Sequence, residues 1–343
     1  MISTRDFCVL PDGHKATLFS LRNASGFGVD VTDLNCAVIN LFVPDRNGKL
    51  IDVALGWKES PIHIDPPACT GVVVGRVANR IANASFAVDG KICRGIANEG
   101  RTMLHGGGTW FRKLWTVKAQ GEKFVTFSFF SPDGDAGFPG NLTADVTYRI
   151  TEDGSLFIEY DAVSDQPTLV NLTNHTYFNL NGGACADASD LVAWSNAESI
   201  TAVDDALIPT GELLPVSGTA FDLTHPRSFA DLCRAIPGGY DHNLVLSREA
   251  KTWKEKVFTV ISPRTGIRLE LSTTAPGVQF YMGGCLGEES FPEGKGGRYQ
   301  AFSGFCLETQ HWPDAPNHPD FPSIRIGAGE HYLHKSEFHF SLE

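Results

Sequence analysis

The chain is expected to fold as an all-β protein, a large antiparallel β-sandwich with few short helices, and three observations carry that expectation. Apolar and polar residues alternate at period two along much of the length, turn dipeptides containing Gly separate the alternating stretches, and helical periodicity is sparse. Taken in order, Asn47-Gly48 and Asp89-Gly90 mark turns between strand-like segments, and a strand is expected at 124 to 130. The clearest alternation follows. Leu142, Ala144, Val146, Tyr148 and Ile150 form one face, with Thr143, Asp145, Thr147, Arg149 and Thr151 on the other. Asp153-Gly154 then leads into Leu156, Ile158, Tyr160 and Ala162, so 142 to 162 is expected to be a hairpin around a primed turn. The best helical pattern is Pro226 to Ile236, with Phe229, Leu232, Cys233 and Ile236 on one face and Thr224 as the cap. Further strands are expected at 256 to 262, 267 to 273 and 337 to 342.

The length of 343 residues would allow two domains, but no linker or internal repeat stands out, so 1 to 343 is read as a single domain. Apolar runs such as Gly71 to Gly75 are far too short to span a bilayer. With 28 basic and 40 acidic residues the formal charge is −12, and no Lys/Arg cluster opposes it, so neither nucleic acid nor a membrane surface is expected as a partner. The amino terminus, Met1 to Phe7, lacks the apolar core of a secretory signal, which makes the cytoplasm the expected compartment. Eight cysteines are scattered singly and are read as reduced, mostly buried thiols rather than a disulfide or zinc framework. Phosphate-binding, dinucleotide-binding, serine-hydrolase and zinc-protease motifs do not occur.

Six stretches combine polar residues with Gly or Pro beyond what packing requires. Phe305 to Pro319 starts as an apolar strand carrying one carboxylate, Glu308, and breaks into a Pro-rich loop suited to closing over a ligand. Trp312, Asn317 and His318 are read as shaping the rim of that site. In Gly75 to Ile81, Asn79 and Arg80 offer a fork of donors, with a structural Arg-carboxylate pair as the alternative. His105 precedes a glycine run and is either a site residue or a satisfied core histidine. Read as a strand, Asn171 to Asn179 carries polar groups on both faces, which neither core nor solvent explains, and His175 has metal ligation as an alternative. Asp241 sits after a Gly-Gly turn, and Gln279 follows a loop that feeds a strand; each has a plain structural reading beside the functional one. Together they mix donors and acceptors with few cations, which suits a neutral polyhydroxylated ligand better than a phosphate.

In order and approximate spacing, these stretches resemble the galactose mutarotase (aldose 1-epimerase) family. The resemblance rests on Gly75-Arg76-Val77-Ala78-Asn79-Arg80-Ile81, Leu104-His105-Gly106-Gly107, Leu172 to Leu180, Ile208-Pro209-Thr210-Gly211-Glu212, Gly239-Tyr240-Asp241-His242 and Leu307-Glu308-Thr309-Gln310-His311, and extends roughly from Gly48 to Gly329. It implies a single β-sandwich domain with an open cleft, no cofactor and no metal. It implies that Glu308 is the catalytic base and His175 the catalytic acid. Arg80, His105 and Asp241 match substrate-binding positions, with Asn79 and Gln279 as further contacts. The implied reaction interconverts the α and β anomers of a free hexose, D-galactose first and D-glucose second. A noncatalytic carbohydrate-binding domain and a hexose-phosphate epimerase of the same fold are the alternatives, and monomer against dimer stays open. The segments Gly182 to Asp187 and Leu191 to Trp194 depart from the family pattern and leave the local loop shape open. At neutral pH, Glu308 is expected ionised, favoured by Arg80, and His175 at least partly charged, favoured by proximity to Glu308, giving a bell-shaped pH profile.

Overall fold

The computed structural model describes residues 2 to 185 and 187 to 343, so Met1 and, within the atypical 182 to 187 segment, Ala186 lie outside the described residues. Three antiparallel sheets account for most of the strands. The first is a five-stranded meander from Ser3–Val9 to Leu50–Asp52. The second has nine strands and is built around the Leu142–Ile150, Ser155–Ser164, His331–Leu342 and Ile267–Thr273 strands. The third has six strands, in the order Tyr177–Phe178, Phe305–Gln310, Gly277–Tyr281, Asp241–Val245, Ser199–Val203 and Pro209–Pro215.

The sandwich closes because the inner faces of all three sheets feed one core. Phe19 of the first sheet meets Phe127 of the second edge to face at 5.3 Å, while Phe178 and Phe280 of the third meet Phe338 and Phe258 of the second at 5.5 and 4.8 Å. Each such ring pair adds to the gain from burying its area. The period-two reading holds in detail: Leu142, Ala144, Val146, Tyr148 and Ile150 are all buried, and Ile150 pairs with Leu156 across the predicted hairpin. Two local expectations are corrected. The connection at Asp153-Gly154 is not a primed two-residue turn, because Thr151 N–H bonds the Ser155 carbonyl and only Gly154 takes positive φ, at 90°. The helix runs Phe229–Ala235, and its cap is Ser228 rather than Thr224: Ser228 Oγ accepts the Asp231 N–H at 3.1 Å, whereas Thr224 bonds Asp222. No helix among the described residues is long and apolar enough to cross a membrane.

One buried cation organises the ground beneath the site. Arg76 is 1% exposed and donates Nε to Ser131 Oγ at 2.8 Å, Nη2 to the Ser131 and Pro132 carbonyls, and Nη1 to the Pro139 carbonyl. It ties the Gly75 to Ile81 segment to the large sheet. Arg76→Met leaves the Ser131, Pro132 and Pro139 carbonyls without this donor and is expected to cost ~3 kcal/mol or more, read as a lower urea midpoint at unchanged slope.

Candidate active site

The third sheet presents one face to an open cleft, and its register decides which side chains meet there. Asp241, Tyr281 and Cys306 lie in one lateral row, and Asn243, Gln279 and Glu308 in the next. The segment holding His175 crosses this face. It is not one strand: Thr173–Asn174 pairs with Val73–Val74, Tyr177–Phe178 pairs with Phe305–Cys306, and His175 sits at the crossing between them. That crossing explains polar side chains on both faces of the stretch. The His175 N–H bonds the Val72 carbonyl at 2.9 Å, and its own carbonyl accepts the Gly71 N–H.

His105 enters from the opposite wall. Its N–H bonds the Asn79 carbonyl at 3.0 Å, and the Asn79 N–H donates to His105 Nδ1 at 3.2 Å. A left-handed turn follows, and at Gly106 (φ 62°) a Cβ would stand 2.2 Å from the Gly75 carbonyl oxygen, so only glycine permits this approach. The His105 ring meets His175 edge to face at 5.3 Å.

The resulting cavity, about 270 Å³, is lined by Asn79, Arg80, Glu99, Leu104, His105, His175, Tyr177, Asp241, Tyr281, Glu308 and the thiol residues Cys69 and Cys285, with Ala68 at one wall. The structure therefore gathers His175, Glu308, Arg80, His105, Asp241 and Asn79 around one space. Gln279 stands one step back, 4% exposed, and its Nε2 donates to Asp241 Oδ1 at 2.6 Å. His175 Nε2 lies 3.7 Å from Glu308 Oε1, and Glu308 Oε2 is buried without a hydrogen-bond partner. A larger depression of about 430 Å³ on the nine-stranded sheet lacks this convergence, since its Lys335 and Glu159 face each other at 3.8 Å.

The loop after the Phe305–Gln310 strand is corrected from lid to brace. Asp314 N–H bonds the Arg80 carbonyl at 2.9 Å, Asp314 Oδ1 accepts the Ala82 N–H at 3.0 Å, and Trp312 is 1% exposed with Nε1 on the Pro276 carbonyl. Asn317 bonds the Ser85 carbonyl and His318 the Pro209 carbonyl, so none of the three residues read as rim faces the cavity. The atypical 181 to 185 segment likewise borders a different depression, next to Lys49 and Lys295.

A model of the aldose 1-epimerase family matches residues 17–339. The chain belongs to the aldose 1-epimerase family. It is 44% identical over 342 residues to the galactose mutarotase of Rattus norvegicus, covering 98% of this chain and 97% of that protein. It is 38% identical over 339 residues to the aldose 1-epimerase of Haemophilus influenzae, covering 96% and 97%. Its fold matches the crystal structure of an aldose epimerase homologue from C. elegans with a TM-score of 0.86 at 30% identity, covering 95% of this chain and 98% of that one.

Within this aldose 1-epimerase scaffold the charge states differ from the sequence expectation. Burial, reinforced by Asp241 and only partly opposed by Arg80, pushes Glu308 up to about 8. Burial also takes His175 down to about 4 and holds His105 well below its usual value. Burial therefore keeps a neutral Glu308 beside a neutral His175, because desolvation outweighs their mutual attraction at 3.7 Å. Between those two values the pair carries a single proton, whichever member holds it.

His105, His175 and Glu308 bring ligand atoms within 4.8 Å of one another, a metal-like grouping. The donor chemistry does not suit a metal. His105 Nδ1 already accepts an N–H, so Nε2 must keep its own proton, whereas a ligating histidine normally donates from the nitrogen away from the ion. One residue absent from the sequence reading is Glu99, which binds Arg80 through two bonds of 2.7 and 2.8 Å. The structural alternative for Arg80 had demanded such a carboxylate, so the pair serves both readings. Cys69 and Cys285 gave no sequence signal that distinguishes a cleft thiol from a core one.

Proposed function

We infer that the chain is an aldose 1-epimerase that interconverts the anomers of free hexoses, with Glu308 and His175 as the acid/base pair. The observation that carries the residue assignment is the 3.7 Å approach of His175 Nε2 to Glu308 Oε1 in a cleft of convergent donors and acceptors. With sugar bound, Glu308 takes the proton from the C1 hydroxyl while His175 gives one to the ring oxygen, and the C1–O5 bond breaks to give the aldehyde. Rotation about C1–C2 and reclosure by the reverse transfers give the other anomer. Ring opening leaves Glu308 protonated and His175 neutral, the arrangement burial already favours, so desolvation of the pair works toward the open-chain sugar. Asp241, backed by Gln279, and the Arg80–Glu99 pair offer an acceptor and donors for the ring hydroxyls, and His105 Nε2–H offers a further donor.

A phosphorylated hexose fits poorly. Arg80 is the cation in the cavity wall and is already held bidentately by Glu99. D-Galactose is proposed as the first substrate and D-glucose as the second, supported by relatives that bear the galactose mutarotase name. The test is polarimetry on freshly dissolved α-D-galactose, α-D-glucose and glucose 6-phosphate. Acceleration of the free sugars is expected, and rates no faster than buffer for every sugar would overturn the assignment.

A further inference from the structure

The face that carries Glu308 continues, beyond the cleft, into a patch of buried amides that the mechanism above does not use. Gln310 follows Glu308 on the same face of its strand, opposite Gly277, and Asn243 lies in the lateral row Asn243, Gln279, Glu308. Asn243 is 1% exposed and Gln310 is fully buried. Yet Asn243 Nδ2 and Oδ1, Gln310 Nε2 and Oε1, Gln279 Oε1 and Glu308 Oε2 all stand without hydrogen-bond partners. Gly277 lets the Asn243 amide pack directly on the strand backbone opposite Gln310, since a Cβ there would stand 2.4 Å from Asn243 Oδ1. Buried amides are costly unless paired, and unpaired groups of this kind gather where a charge has to be accommodated during a reaction. Around the patch the wall is apolar, with Trp312, Val245 and Leu213 in one cluster.

We propose that Gln310 is a positioning residue whose amide donates to Glu308 Oε2 when that carboxylate is charged. The proposal rests on Glu308 acting as the base. The titratable and charged groups that face Glu308 are Asp241, Arg80, His175, His105, Cys69 and Cys306. Of these, Arg80 is shared with Glu99, His175 faces Oε1 and leaves Oε2 without a donor even when it carries the shared proton, and the thiols and His105 do little to hold an anion. An amide N–H beneath the carboxylate supplies what the cleft wall lacks: it favours the charged form at the start of the cycle without adding a charge of its own.

The test is the pH dependence of kcat and KM for galactose in wild type, Gln310→Met and Glu308→Gln. Methionine has similar length and no donor. Loss of the donor is expected to raise the basic limb by up to about one pH unit and to lower kcat by about three- to tenfold, since one unit of pKa is tenfold in the charged fraction, while KM stays within about twofold. A merely structural Gln310 would change the thermal midpoint and leave the limb in place, and that result overturns the proposal. Should Gln310→Met not fold, Gln310→Asn keeps the amide but withdraws it by one methylene. It is expected to move the limb the same way, and an unmoved limb there overturns the proposal equally. If Glu308→Gln turns over like wild type, the base assignment itself fails and the proposal with it; a dead Glu308→Gln beside an unaffected Gln310→Met removes only the role of Gln310.

Discussion

Glu308→Gln is expected to lower kcat by roughly 10² to 10⁴, the usual contribution of one positioned acid or base, while retaining galactose binding. The substitution keeps the shape of the side chain and its contacts on the sheet, and removes only the capacity to take the C1 hydroxyl proton. It should not weaken the fold, which separates lost chemistry from lost structure. Burial raises Glu308 from an ordinary value near 4.5 to about 8. Its contribution to stability is therefore present in full below the lower value and is lost as pH rises toward the upper one, because the unfolded chain releases the proton that the folded chain must keep. A glutamine has no proton to release. The variant is expected to match wild type near pH 4 and to gain on it by at least ~1 kcal/mol by pH 8, measured as urea midpoints at several pH values. A variant that is both inactive and less stable at pH 8 would contradict this account of the buried carboxyl.

His175→Gln is the second large effect, with kcat again expected to fall by roughly 10² to 10⁴. Its signature is the change in the shape of the pH profile. On the proposed mechanism the wild-type pair must hold one proton, so activity is expected to decline once Glu308 ionises without a protonated partner, above about 8. With His175 gone, the residual reaction needs only the carboxylate, and its rate is expected to rise as pH passes through the same region. Opposite slopes above pH 8 in the two proteins would place the shared proton on these two residues. Parallel slopes would mean that His175 does not take part in proton transfer.

The fold was legible where local chemistry and tertiary context agree. Strands such as Leu142–Ile150 announce themselves because one face must be buried and the other wet, and the alternation survives in every residue. The site was legible as a set of residues, since Glu308, His175, His105, Arg80, Asn79 and Asp241 do meet at one cavity. Four things were not legible. Sheet register, which puts Gln279 behind Asp241 rather than in the cavity wall, depends on pairings between strands remote in sequence. The role of the Trp312 to His318 loop depended on its partner: the same Pro-rich chain serves as lid or brace according to what it packs on, and here Asp314 is bonded to the Arg80 segment. The charge states were not legible because the family resemblance implies that Glu308 and His175 meet but not that both are more than nine-tenths buried, and burial decides the sign. Thr224 lost the helix cap to Ser228 for a similarly local reason, since Asp222 holds its hydroxyl.

On the proposed mechanism, Glu308 and His175 share one proton across the working pH range and pass it through the sugar. The most direct measurement is the pH dependence of the enzyme-catalysed mutarotation of α-D-galactose by polarimetry, corrected for the buffer reaction. The expected result is a plateau bounded by an acid limb near 4 and a basic limb near 8, set by the values to which burial moves His175 and Glu308. An enzyme-catalysed rate that climbs steadily through pH 8 would contradict it.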